Sequence, residues 1–482
     1  MSQRTGKQQM LAAGTANLAG RIGLGLRAIA LGVLLLVSLG GCIGGLEEEP
    51  KQIFVKADTG LDTNPGTLTQ PLKTIKRALA VWRTGREIVL IPSIFNEVSG
   101  ETWPYDAPAG LVIKATASGV VLESNTPDLS GNLRRVGFNA TQIQLENLTF
   151  RNFQRALVQS TGKQTLVGVR FEGGADAPYA LELSKSAEAS WSNVALKNSG
   201  VRLKDAAVLS VSGAAFEGDA QIEASDAAQV NLEKAQTPNG PASTILFLNQ
   251  SAKASLKQST LTSLRNVAYV NSSAQLTVEN GNLTSTQSSA IRIDGGSLSL
   301  KGGYISGPQR YAVEASNNGT SVSVSIDGTG LYGQYAGVNM YRGSLQVKGA
   351  RIATQREAIR IRGWVYLNLR DSTLETSGDN SNLLYIDTNG QAAALGTTDL
   401  GSAASPGNNV FKNTSGSASI RSLVYILPGS GTTLQVPARG NTWIANEQGA
   451  NSTGQYPAGV NVSGPTPSGK NFYLGSGASM SF

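Results

Sequence analysis

Leu298-Ser299-Leu300-Lys301-Gly302-Gly303-Tyr304-Ile305, Val324-Ser325-Ile326-Asp327-Gly328-Thr329-Gly330-Leu331 and Leu345-Gln346-Val347-Lys348-Gly349-Ala350-Arg351-Ile352 are three copies of one pattern, apolar-x-apolar-x-turn-x-x-apolar. Ten segments of the chain follow it at intervals of about 22 residues, a fixed period of the kind that marks stacked-repeat architectures. Their last apolar positions are Phe150, Phe171, Leu196, Phe216, Leu261, Leu283, Ile305, Leu331, Ile352 and Leu374. Five residues earlier stand Leu145, Leu166, Trp191, Val211, Leu256, Val278, Leu300, Ile326, Val347 and Leu369, which must face inward. A segment near Leu232 fits poorly. Three residues before the last apolar positions come Asn147, Gly168, Asn193, Gly213, Gln258, Asn280, Gly302, Gly328, Gly349 and Asp371. Glycine, and to a lesser degree asparagine and aspartate, tolerate a left-handed backbone, so a sharp corner is predicted there.

The positions between inward residues are polar (Thr165, Ser190, Ser210, Ser255, Thr277, Ser299), and this period of two predicts a half-buried strand. A second alternating strand follows each corner, as in Ala290-Ile291-Arg292-Ile293 and Ala358-Ile359-Arg360-Ile361. One coil buries too few side chains to offset the entropy of ordering it. Stacking coils about 4.8 Å apart lets each strand bond to the coils above and below, so stability becomes a nearest-neighbour property. The predicted fold is all-β, a parallel β-helix. Lys257, Glu279, Lys301, Asp327 and Lys348 alternate in sign over successive coils, as in-register stacking favours, and that face reads as structural.

With 482 residues, 40% apolar and 15% charged, the chain suits a single elongated solenoid. Residues 1–41 hold four basic residues, no acid, and an apolar run from Ala28 to Leu39 too short to span a bilayer, the features of an export signal. Leu39-Gly40-Gly41-Cys42 resembles the bacterial lipoprotein cleavage box, which implies a lipid on Cys42, the only cysteine, and attachment to a membrane. An ordinary signal peptide or a free cysteine are the alternatives. Ile43 resembles the outer-membrane sorting pattern of double-membraned bacteria. Removal of the signal leaves 36 basic against 33 acidic residues, so the formal charge of +7 gives no support to a nucleic-acid partner. The expected organisation is a signal peptide (1–41), lipidated cysteine and tether (42–51), N-terminal cap and first coils (52–115), β-helix coils (116–390), and last coils with a C-terminal cap (391–482).

Phe54-Val55-Lys56-Ala57-Asp58-Thr59-Gly60-Leu61-Asp62-Thr63-Asn64-Pro65-Gly66-Thr67 leads into Pro71-Leu72-Lys73-Thr74-Ile75-Lys76-Arg77-Ala78-Leu79, where Pro71 suits a helix start and Leu72, Ile75, Leu79 and Trp82 fall on one face. That helix would plug the open core. Here the chain resembles a family of secreted bacterial proteins, much of it uncharacterised, that open with this strand, turn and helix. They continue as right-handed β-helices of the pectin-lyase-like kind. Asp399-Leu400-Gly401 and Pro406-Gly407-Asn408-Asn409-Val410-Phe411 resemble the same family. Asn408 to Phe411 and Gly440 to Trp443 repeat the corner spacing, and from Asn446 onward the composition reads as a loose terminal cover.

The chain has no histidine, which excludes histidine bases, histidine metal sites and serine–histidine or cysteine–histidine nucleophiles. No cofactor or metal is expected. Enzymes on the resembled fold use clustered aspartates for calcium or close aspartate pairs, and the aspartates here stand singly. The catalytic candidates are Asp294 and Glu314, neighbours on adjacent coils whose expected separation suits an inverting hydrolase. In the resembled superfamily ligands lie along the strand after the corner. Its outward column here runs Val158, Glu182, Arg202, Glu223, Phe247, Tyr269, Arg292, Glu314, Asn339, Arg360 and Tyr385, with Tyr341, Arg362 and Asp387 two residues on. Tyr269, Arg292, Asn339, Tyr341, Arg360, Arg362 and Tyr385 are the candidate ligand residues, because aromatic faces stack on sugar rings, amides bond hydroxyls and arginine grips carboxylates. Cross-coil ion pairs and sheet-covering tyrosines are the competing account. The expectation is a lipid-anchored, monomeric envelope protein that binds or scaffolds polysaccharide or envelope components. A polysaccharide lyase or glycoside hydrolase acting on an acidic glycan is the alternative, and an adhesin or spacer the next.

Overall fold

The computed structural model describes residues 51–125, 136–173, 179–315, 321–378, 381–388, 397–414, 422–429, 433–444, 472–474 and 478–482. Cys42, the expected signal and most of the expected terminal cover lie outside these. Lys51–Phe482 forms one compact unit. It is a parallel β-helix with a short capping helix.

The inward columns are the reason it forms. Leu300 pairs with Ile326 and Ile326 with Val347, all in parallel register, and each is about 1% exposed. All ten predicted corner residues have positive φ, from Gln258 at 48° to Gly213 at 75°. Beyond the corner the last apolar residues stack in the same way, Phe150 on Phe171 on Leu196 and Ile305 on Leu331 on Ile352. The core is therefore one continuous column of side chains. Phe150 and Phe171 stack with centroids 5.4 Å apart near one end, and Phe411 and Trp443 at 4.1 Å near the other. The late coils hold, since Leu374 pairs with Phe411 and Phe411 with Trp443, with Asn408 and Gly440 at positive φ.

The coil that fits poorly is half regular. Leu232 is buried between Val211 and Leu256, and Lys234 turns its corner at φ 54°. The strand that should follow shrinks to a single bridging residue, Gln236, between Ala215 and Thr260. Pro238 has no N–H to give a ladder, and Gly240 at φ 101° turns the chain away. The sheet beyond the corner accordingly divides here into six-stranded and eight-stranded parts.

The helix α1 spans Ile75–Val81, so Pro71 stands outside it. Two carboxylates from other loops set the boundary. Asp62 accepts from the backbone N–H groups of Lys73 and Thr74 and from the Thr74 hydroxyl, and Glu101 accepts from Ile75 and Lys76. Thr74 then caps the helix by accepting from the Arg77 N–H at 3.0 Å. Ile75 and Ala78 are buried against the first coils.

The alternating charged column is in register from Lys257 to Lys348, and Lys257 meets Glu279 at 3.3 Å. Alternation ends at Arg370, which follows Lys348 and turns instead to Asp399 at 2.6 Å.

Candidate functional site

The outward column after the corner is one row. Tyr269, Arg292, Glu314, Asn339, Arg360 and Tyr385 are successive register partners, and the row continues through Tyr425 and Tyr473. Tyr385 and Tyr425 stack at 4.9 Å with planes 9° apart, and Tyr425 and Tyr473 at 4.6 Å and 8°. The Arg360 guanidinium lies 5.5 Å from the Tyr385 ring centre. Burial, followed by the hydrogen bond to Asp387, pushes the Tyr385 phenol well above its usual range. The two later tyrosines do not show in the sequence pattern because they stand 40 residues beyond Tyr385 and 48 beyond Tyr425, well outside the repeat of about 22.

In the middle of this row the fold changes. In the coils from Arg155 to Lys301 a turn or bend separates the outward strand from the next inward one, but Ala336–Lys348 and Glu357–Arg370 run through as single long strands. Their register shifts between Met340 and Arg342, so Tyr341 stands opposite the pair Arg362 and Gly363, a β-bulge. A Cβ on Gly363 would lie 2.4 Å from the Tyr341 carbonyl oxygen, which explains the glycine. Arg362 donates to the Tyr341 hydroxyl at 3.3 Å.

Beside the bulge, Asn339 is 1% exposed and its Oδ1 has no hydrogen-bond partner among the described residues. Its register partner Arg360 buries an Nε–H that likewise has none. One is an acceptor and the other a donor, on adjacent coils. Between Ala336 and Arg370 seven arginines and lysines face a single acid, Glu357. Arg351 and Arg370 are taken up by Glu375 and Asp399, whereas Arg360 and Arg362 lie in the strip with aromatic neighbours.

The two catalytic candidates are held separately. Asp294, 1% exposed, accepts from the Tyr269 hydroxyl at 2.5 Å and pairs with Arg292 at 3.2 Å. Burial and that hydrogen bond push the Tyr269 phenol up to about 12. Glu314 accepts from the Ser289 hydroxyl at 2.6 Å. Arg292 therefore pairs with the residue just past its own strand rather than with Glu314. Towards the N-terminal side the row is self-satisfied: Arg202 meets Glu223 across coils at 3.3 Å, Glu182 meets Arg155 at 3.3 Å, and Tyr179 donates to Glu223 under the Arg202 guanidinium. Among the described residues no three carboxylate or cysteine side chains converge to hold a metal ion.

A concavity lies on the face read as structural. Thr165, Ser190, Ser210, Asn231 and Ser255, one from each of five coils, line a groove of about 500 Å³. Short hydroxyl side chains leave the space.

These observations meet known proteins at one firm point. Residues 58–223 match a family described as a protein of unknown function (DUF1565). The match begins inside the cap that carries the turn and helix motif and ends in the outward row, so an uncharacterised β-helix family is what this part of the chain matches. The chain matches no curated protein sequence. Two of the solved structures to which it is similar are these. One is the A-module of the Azotobacter vinelandii mannuronan C-5 epimerase AlgE6, 12% identical over 84% of this chain and 91% of the other, with a TM-score of 0.25. The other is a rhamnogalacturonan lyase, 11% identical over 84% of each chain, with a TM-score of 0.15. Likeness of that degree says nothing of a substrate.

Proposed function

We propose that this protein is a monomeric, lipid-anchored component of a bacterial cell envelope, attached through Cys42, whose β-helix is a non-catalytic binding module for an acidic polysaccharide. In an organism with two membranes its place is the outer one. The observation that carries the reading is the adjacent pair Asn339 and Arg360, each holding a buried polar atom without a partner beside the stacked tyrosines. Such atoms are costly to bury alone and are satisfied by a ligand that offers both a hydroxyl and a carboxylate, as a uronic acid does. The tyrosine faces supply the stacking surface. Binding is favoured over cleavage because Asp294 is fastened to Tyr269 and Arg292 and Glu314 to Ser289, so that among the described residues these two carboxylates do not stand together as an acid and base pair.

Glycan-array binding by the chain lacking its signal tests this, with acidic and neutral glycans and analysis for cleaved products. The expected result is retention of acidic glycans without products, and a loss of roughly tenfold or more in affinity for Tyr341→Ala combined with Arg360→Ala. Unchanged binding by that double variant contradicts the assignment. Cleavage that disappears in Asp294→Ala would replace it with the hydrolase or lyase reading.

A further inference from the structure

The cap differs from the rest of the molecule in charge. From Lys51 to Arg86 stand seven basic residues and two acids, Asp58 and Asp62, a net +5, while the chain from Glu87 onward has 29 basic and 28 acidic residues, a net +1. Asp62 is spent on the backbone at the start of α1, and so is Glu101 from the next loop. Those bonds draw two loop tips to the start of the helix: Leu61, 59% exposed, beside Asp62, and Val98, 86% exposed, in the loop that ends at Glu101, where the neighbouring Glu97 carboxylate is taken up by the Ser124 hydroxyl and the Asn125 N–H. Lys76 and Arg77, exposed on the first turn, have no carboxylate partner among the described residues. Exposed apolar tips beside unpaired cations are the composition of a surface that rests on anionic lipid.

The geometry points to the N-terminal cap as a membrane-contacting face that binds anionic phospholipid headgroups through Lys76 and Arg77 and inserts Leu61 and Val98 among them. In one respect this rests on the anchored reading: the eight residues from Ile43 to Pro50 span at most about 30 Å, so a lipid on Cys42 keeps the cap within that distance of the bilayer. The three glutamates of that tether, Glu47 to Glu49, are repelled by anionic headgroups, which leaves the cap as the attractive element.

The test uses the unlipidated chain from Ile43 to Phe482, which keeps every described residue, and vesicles of phosphatidylglycerol and phosphatidylcholine in about equal parts against phosphatidylcholine alone. The expected result is co-sedimentation with the anionic vesicles only, weakened roughly tenfold when salt rises from about 0.05 to about 0.5 M. Lys76→Glu with Arg77→Glu weakens it by a similar factor, and Leu61→Asp with Val98→Asp weakens it too, each with an unchanged circular dichroism spectrum. Lys234→Glu with Lys253→Glu, remote from the cap, leaves it intact. Equal binding to both vesicles, no binding to either, or binding indifferent to the cap variants overturns the proposal. Because no acyl chain is present, these outcomes are independent of whether Cys42 is modified in cells, which mass spectrometry of the mature N-terminus reads separately.

Discussion

Glu101 shows how one side chain far along the chain decides a local boundary. It is 2% exposed, accepts from Ile75, Lys76 and Tyr105, and burial raises its pKa to about 6 despite those bonds. A carboxyl whose folded value lies above its unfolded one contributes stability that is fully present below about pH 4.5 and lost as pH rises through about 6. The difference amounts to about 2 kcal/mol. Denaturant melts from about pH 4 to 7 should show this falling slope in the wild-type chain, and Glu101→Gln should flatten it. An identical slope in that variant would assign the pH dependence to other groups. Gly363 is the other decisive residue. Gly363→Ala drives a methyl against the Tyr341 carbonyl and should cost about 1 to 3 kcal/mol, with loss of glycan binding because the bulge cannot form. Neither residue was legible beforehand. The sequence offered Pro71 as the helix start because the carboxylates that cap the true start come from Asp62 and Glu101, whose approach only the folded chain reveals.

At the level of strands and coils, what could be read was what repeats. The corner column and both inward columns follow from residue type at fixed spacing, and all ten corners turn as expected. The outward row was legible for the same reason, since an alternating strand follows each corner even where the coil length varies. What broke the repeat was hidden: the bulge at Tyr341, where two residues oppose one, and the tyrosines Tyr425 and Tyr473, which lie outside the period of about 22. Buried amides also do unpredicted work in the late coils. Asn409 donates to the Leu369 and Leu400 carbonyls and to Asn441, and accepts from the Ser372 N–H. Asn409→Leu strands those groups in the core and should lower stability by about 2 to 4 kcal/mol in denaturant unfolding. By contrast Glu279→Lys, on the exposed charged column, should change it by no more than about 1 kcal/mol, and less in high salt.

For the whole molecule, coils that bond only to their neighbours make the solenoid a one-dimensional object, in which a surface strip is the sum of one residue from each coil. The proposed polysaccharide strip exists only if those residues remain in step. The same stacking separates the basic cap from the arginine-rich strip at Ala336–Arg370 by many coils, so lipid and glycan would meet different parts of one β-helix. Spin labels on cysteines introduced in pairs along one outward column test the register most directly. Ser210 and Thr277 are three coil steps apart, and Ser210 and Ser325 five. At about 4.8 Å per step, pulsed electron resonance should give backbone separations of about 14 and about 24 Å, rising linearly with coil number. Distances that fail to grow with coil number, or that scatter between separate bodies, would contradict in-register stacking and with it the strip.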